Sequence, residues 1–278
     1  MTTVTTILGA NGKPLRATTP RAQLQSAFSQ RSARKPIEAR YDAASSSTEF
    51  ANYWAAADAL DADSANSKGV RVTLMKRSRY ETANNGYVDG IIQTLATDII
   101  NVGPKLRLRT GNKNFNQAVE TVWAQWSKEI LLRRKLWCMA HAKIQDGESF
   151  GIIKTNNKLR HKVKLDIMLV EPEQVSTLYG AIYNQPGHID GIKFDEFGNV
   201  ESYEVLKAHP GSQFAGILNY QSEDVPARFM LHWFLLRRPG QHRGVPEFRS
   251  TLQVGASSRR WREATVAAAE TAADISVW

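Results

Sequence analysis

Ile144-Gln-Asp-Gly-Glu-Ser-Phe-Gly-Ile-Ile-Lys154 is the stretch where the hydrophobic period of the chain changes from that of a helix to that of a strand. Before it, Val88, Ile91, Ile92, Leu95, Ala96 and Ile99 recur at helical spacing. Phe115, Val119, Val122 and Trp126 do the same, with Trp123 flanking that face. These patterns predict helices over 71–83, 88–99, 113–128 and 131–144, and a short Ala-rich helix at 48–60. Gly103-Pro104 closes the second of the main helices, because Gly is tolerated past a helix end and Pro cannot continue one. Leu106 and Leu108 alternate with Lys105, Arg107 and Arg109, which predicts a half-buried strand. After Gly147, itself a helix-to-strand turn, short runs at 149–154, 163–170, 191–194, 200–206 and 228–234 predict strands. Asp195 to Asn199 reads as a hairpin loop with Gly198 in its turn. Helices, then strands, then a helix make an α+β chain rather than a doubly wound parallel sheet.

The last of these elements is one long helix from Pro246 to about Ala273, with Pro in the first turn, where its missing N–H costs nothing. At about 100° per residue, Arg249, Arg259, Arg260, Glu263, Glu270 and Asp274 share one arc, while Val254, Trp261, Ala264, Ala268 and Ala272 lie opposite. Leu252 falls on the charged arc and breaks the pattern. Small residues on the far side permit close packing of another helix, so Trp261, Ala264, Ala268 and Ala272 are candidate helix-packing residues. About 28 residues at 1.5 Å each reach roughly 42 Å. A helix of that length does not finish inside a compact domain, so its packing partner is expected in another chain or in a C-terminal part beyond Trp278.

The 278 residues carry 36 Lys plus Arg against 27 Asp plus Glu, a formal charge of +9 that favours anionic partners. Residues 1 to about 45 hold most of their charge as Lys and Arg and have little periodicity. They read as a basic flexible arm that contacts nucleic acid or a neighbouring subunit, or as a solvated tail. The single cysteine, Cys138, excludes a disulfide framework and a thiolate zinc cluster within one chain, and a reducing compartment follows simply. No run of about 18 apolar residues and no leader pattern is seen, so neither a membrane span nor a signal peptide is expected. Gly9-Ala-Asn-Gly12-Lys13 runs into Pro14 without the Ser or Thr that holds magnesium, which argues against a motor ATPase.

No constellation assembles a catalytic centre. The six histidines include no HExxH and no i, i+4 pair. His188-Ile-Asp190 and Asp146-Gly-Glu148 are patterns that turns and strand ends carry without chemistry, and Glu148 is expected to be solvated or paired with an arginine. Ser149 lacks the Gly-x-Ser-x-Gly elbow. No catalytic residue, cofactor or metal is predicted. The most distinctive local feature is Arg237-Arg-Pro-Gly-Gln-His-Arg-Gly-Val-Pro246. Its guanidinium groups suit phosphates or carboxylates, or ion pairs between subunits. Arg237, Arg238 and Arg243, with Arg249, Arg259 and Arg260 of the helix, are therefore candidate intersubunit or DNA contacts.

Several segments recur in a recognisable order: Arg77-Ser-Arg79-Tyr80 with Asn84-Asn85, Asn101-Val-Gly103, the Trp123/Trp126 helix, Asp146-Gly-Glu-Ser-Phe150 and Val170-Glu-Pro-Glu-Gln-Val175. Gly191-Ile192 with Asp195, Gly198 and Tyr203, the His232 strand and Arg238-Pro-Gly-Gln-His-Arg-Gly-Val-Pro246 with the Ala-rich helix complete the order. In that order, over about 70 to 275, the chain resembles the portal proteins of lambda-type tailed phages. The resemblance implies a wing-like domain of helices and short antiparallel strands over 46–245, followed at 246–278 by the start of a stem-like helix. The family's clip, second stem helix, tunnel loop and crown have no counterpart in the sequence. It also implies a non-enzymatic subunit of a ring, a dodecamer when full length, set in the virion at a capsid vertex and assembled in the host cytoplasm. The partners implied are further copies of the chain, double-stranded DNA, the terminase large subunit, head-completion or connector proteins, and the major capsid or scaffold protein, with no membrane. The competing expectations are a truncated or inactive prophage copy and a non-specific DNA-binding protein. A hydrolase using Glu148 or His188 lacks a coherent site.

Overall fold

A computed structural model of the chain describes residues 53–177, 184–185, 187–213 and 221–275. The chain divides into two compact units, Met1–Ala59 and Leu60–Trp278. In the first unit the expected basic arm lies outside the described residues, and the expected helix at 48–60 is not formed in its described part, where 53–56 make a turn and 57–60 carry no regular structure. Asp58 and Asp61 sit where that helix would end, the wrong end of a helix dipole for acidic groups. Asp61 instead caps the helix that follows, accepting from the Ser64 backbone N–H at 3.0 Å.

The second unit opens with helices α1 (Ala62–Ala65), α2 (Lys68–Asn84), α3 (Gly86–Ile100), α4 (Lys113–Glu129) and α5 (Leu132–Asp146). Asparagine side chains start two of them: Asn85 accepts from Tyr87 N and Asn112 from Phe115 N. The predicted strand at 105–109 is absent. Its burial alternates as expected, with Leu106 and Leu108 half-buried and their basic neighbours exposed, but among the described residues no strand pairs with it. The Leu108 N–H is taken by the Glu120 carboxylate at 2.9 Å, a side chain standing in for a ladder partner.

Strands β1 (Glu148–Thr155), β2 (Leu165–Val170) and β8 (Met230–Phe234) form one antiparallel sheet with β1 in the middle. Strands β3 (Asn184–Gln185), β4 (His188–Ile189), β5 (Ile192–Phe194), β6 (Val200–Leu206) and β7 (Ser222–Pro226) form a second, an antiparallel meander. The β5–β6 loop is the anticipated hairpin: Asp195 accepts from the backbone of Phe197 and Asn199, and Gly198 takes φ 82°. The unanticipated β3, β4 and β7 are short or polar and show no apolar alternation.

Three apolar clusters hold these layers. Phe150, Val170, Val175, Ile192, Tyr203 and Met230 join the two sheets. Ile92 and Ala96 of α3 meet Ala140 and Ile144 of α5. Trp126, Ile130 and Leu132 close the α4–α5 corner, where the Trp126 indole donates to Leu165 O at 2.8 Å. The final helix, α6, runs Leu252–Ile275. It starts six residues later than Pro246, because Pro246 is buried beside Gly147 and a 3-10 turn, Glu247–Ser250, intervenes.

Gly147 sits at φ 94°, and a Cβ there would overlap the Val245–Pro246 peptide. Gly198 has a similar φ of 82° but open space around it. Gly198→Ala is therefore expected to cost only the left-handed backbone, about 1–2 kcal/mol. Gly147→Ala adds an overpacking cost of roughly 1–3 kcal/mol, and equilibrium urea unfolding of the two variants should show that order. Equal losses would contradict the close approach at Gly147.

Candidate functional site

The turn at Gly147 delivers Glu148 to the first position of β1, on the central strand of its sheet, with no exposed surface. A carboxylate there needs compensation on every oxygen, and the Pro/Gly-bracketed loop after β8 supplies it. Arg243 donates to Glu148 through Nε at 3.0 Å and Nη2 at 2.6 Å, and Gly244 N–H adds a bond of 2.8 Å. The remaining Arg243 donors reach backbone carbonyls: Nη1 to Val175 at 2.8 Å and Asp190 at 2.6 Å, Nη2 to Pro172 at 3.1 Å. Arg71 of α2 lies 3.5 Å from Glu148 and bonds Asp190, which also accepts from Ser176 at 3.2 Å. Two arginines thus face two carboxylates in the interior, and their charges cancel.

His232 completes the group. Its Nε2 lies 3.2 Å from Glu148 Oε2, and its ring stacks between Phe150 and Phe234 at 4.2 and 4.5 Å. Burial lowers the His232 pKa, although the Glu148 hydrogen bond and charge pull the other way. For Glu148 burial alone would raise the carboxyl, but the Arg243 charge, the His232 hydrogen bond and the Arg71 charge hold it well below the usual range. Burial, then the neighbouring Arg243 charge, push Arg71 down to about 9. Nothing in this balanced arrangement supplies a nucleophile and base in reach of open space, and it reads as a structural keystone. His188 and Asp190, adjacent in sequence, are not an acid–base pair: Asp190 turns inward to Arg71, while His188 lies 3.7 Å from Glu204.

The other predicted contact residues scatter. Arg243 is corrected: its guanidinium is fully enclosed by its own chain at 1% exposure, so it meets neither DNA nor a neighbouring subunit. Arg237 and Arg238 are exposed on the same loop, Arg238 donating to Leu60 O at 2.9 Å. Arg249 is half-buried and Arg260 exposed. Arg259 is held within the chain, 3.0 Å from Glu81 of α2 and over the Tyr80 ring. Leu252 is buried on the same side, so the leucine that broke the helical pattern is the anchor by which α6 meets the domain. Trp261, Ala264, Ala268 and Ala272 are exposed, as is every residue from Glu263 to Ile275.

The model of the lambda-family phage portal proteins matches residues 49–278, most of the chain. The chain belongs to that family. No curated protein matches it significantly. Portal proteins of this family are structural rather than catalytic, and membership implies an oligomeric ring associated with the capsid at a virion vertex. Among the described residues no helix is long and apolar enough to cross a membrane.

In this portal protein sequence reasoning missed Arg71, Asp190 and His232 as partners of Glu148. The available signal was a glutamate opening an otherwise apolar strand, a position that requires a cation. Arg243→Ala is expected to destabilise the fold by roughly 3–5 kcal/mol, because it strands a buried carboxylate. Arg238→Ala on the same loop should cost less than about 1 kcal/mol. Similar unfolding midpoints for the two variants would refute the keystone role.

The pH dependence has a definite sign. His232 titrates below its ordinary value of 6.5 in the fold, so its contribution is complete above about 6.5 and is lost as pH falls. Glu148 adds a contribution present above its ordinary 4.5 and lost on further acidification. Asp146, which burial raises to about 6, contributes in the opposite sense as pH falls from about 6 towards its ordinary 3.8. The His232 contribution is therefore read as the difference between the wild-type and His232→Asn unfolding midpoints, which should change as pH falls below about 6.5. A difference between the two midpoints that stays constant with pH across this range would rule it out.

Proposed function

We propose that the chain is a structural subunit of the portal ring at one capsid vertex, forming the conduit for DNA packaging and ejection. In this reading it docks the terminase large subunit and head-completion proteins and sits against the major capsid or scaffold protein. The observation that carries it is the family match over residues 49–278. The architecture agrees: residues 60–245 of the folded unit make a compact α+β body, and α6 leaves it with its second half exposed on all sides. We assign the body to the wing and α6 to the beginning of the stem. Arg237, Arg238, Arg249 and Arg260 remain the candidates for contact with DNA or with neighbouring subunits.

In a ring of identical subunits each contact joins two different surfaces, and small residues let helices approach closely. The Trp261, Ala264, Ala268 and Ala272 side of α6 is assigned to such a contact. Particle mass and negative-stain images of the purified protein test the reading, with rings expected. A monomer that binds free duplex with a steep loss on adding salt would favour the DNA-binding alternative. Within assembled particles, Ala268→Leu should overpack the contact by roughly 1–3 kcal/mol per site, while Glu270→Gln leaves assembly unchanged. Normal assembly of the Leu variant beside failure of the Gln variant would reverse the facing assigned to α6.

A further inference from the structure

A groove of about 800 Å³ opens between α4, the first turns of α5 and the extended segment after Gly103. Leu106, Trp123, Leu131 and Trp137 give it an apolar lining. Its walls are fixed by specific contacts. Gly103 takes φ 83° against Arg133, whose Nε donates to Asn101 O at 2.7 Å, and the Leu108 N–H is pinned to Glu120. Leu131 adopts φ 55°, a left-handed conformation costly for an L-residue, and its side chain stays 54% exposed in the lining.

The rim is cationic. Lys105, Arg107, Lys128, Arg133 and Arg134 surround the apolar lining, against one carboxylate, Glu120, which is already taken up by Leu108 N and Arg107. An aromatic and aliphatic lining within a positive rim fits an acidic segment that carries an aromatic anchor. Duplex DNA would satisfy the rim and leave the lining unfilled, since its bases stay stacked. The chain itself contains a segment of the fitting kind. Between Arg40 and Lys68 there is no Lys or Arg, and Tyr41 to Ala59 holds Asp42, Glu49 and Asp58 together with Phe50, Tyr53 and Trp54. The Trp54 residue is 60% exposed.

We propose that the groove of one copy receives the acidic, aromatic segment Tyr41–Ala59 of a neighbouring copy, with Trp54 as its anchor. The proposal rests on the ring reading above, because it requires a neighbour. It makes the contact heterologous, segment to groove, so that each subunit is both donor and acceptor.

The test uses two full-length populations, both Cys138→Ser, one with Ala55→Cys and a tag, the other with Ser127→Cys in the groove wall. After mixing and reassembly, a short bis-maleimide should give a product containing both chains. Its yield should fall about tenfold with Trp54→Ala, and equally with Lys128→Glu plus Arg134→Glu. Asp42→Arg plus Glu49→Arg should restore the yield in the reversed-rim background, an outcome that misfolding of the rim variant does not produce. Images of the same samples report assembly independently. Rings without the mixed product overturn the proposal and leave the ring reading standing, whereas absence of any assembly overturns both. Cross-linking seen only within a single chain made to carry both Ala55→Cys and Ser127→Cys, or blockage of Ser127→Cys labelling by a short duplex with no mixed product, also overturns it.

Discussion

The fold depends on keeping the Glu148 carboxylate ionised in a place without water. Glu148 opens the central strand of one sheet, and everything that contacts its oxygens comes from elsewhere: Arg243 and Gly244 from the loop after β8, His232 from β8 and Arg71 from α2. The same Arg243 binds the carbonyls of Pro172 and Val175, in the chain between the two sheets, and of Asp190, in the turn between β4 and β5 of the second. One guanidinium therefore ties the first sheet to the segments around the second, and the carboxylates of Glu148 and Asp190 that it meets are shared with Arg71 of α2. A buried ion pair is a poor source of net stability, because desolvation cancels most of its attraction. Its value here is geometric: alternative packings would leave a charge without partners.

Glycine makes this arrangement possible. Gly147 and Gly244 lie so close that a Cβ on either would enter the other segment's backbone, and a Cβ on Gly191 would likewise crowd the Ser176 backbone. The backbone approaches first, and the charges meet because it does. Along α2 the same logic is repeated with polar groups. Its buried side chains are Arg71, Met75, Ser78 and Glu81, and Arg79 beside them binds Asp146 and Glu173. Helix α2 is thus docked chiefly through hydrogen bonds and ion pairs, from Asp190 at one end to Arg259 of α6 at the other.

That explains which parts were legible in the sequence. Elements with an apolar period, α3 to α5, β1, β2, β5 and β6, lie within a few residues of where the pattern puts them, because burial and period are the same fact read twice. The 105–109 segment misled because alternating burial does not require a strand partner. In α6 the period was real, and the start of the charged arc meets the body through Leu252 and Arg259, since Glu81 of α2 offers that arginine a partner, while Arg260, Glu263, Glu270 and Asp274 of the same arc stay exposed. The keystone was invisible as a unit because its members are separated by up to 172 residues, Arg71 to Arg243, and one-dimensional spacing carries no record of a contact made by sheet topology. Glu148 and Arg243 were each singled out, and the turn chemistry around each was right, but nothing linked them.

The chain also leaves outside much of the apolar surface that its sequence advertises. In α3 only Ile92 and Ala96 of the wide face are buried, while Ile91, Leu95 and Ile99 stay exposed. Val254, Trp261 and Val266 of α6 are exposed as well. Isolated exposed apolar residues are ordinary, but aligned rows on two helices are the mark of surfaces made for contact. For a member of a ring-forming family the interior and the surface then have separate tasks. The interior holds buried charges such as Arg71, Glu148 and Arg243 in fixed pairs, while part of the hydrophobic surface is left available at the outside. A rigid body with apolar faces suits an assembly of identical copies, since each copy must present its surfaces at the same angle for a ring to close.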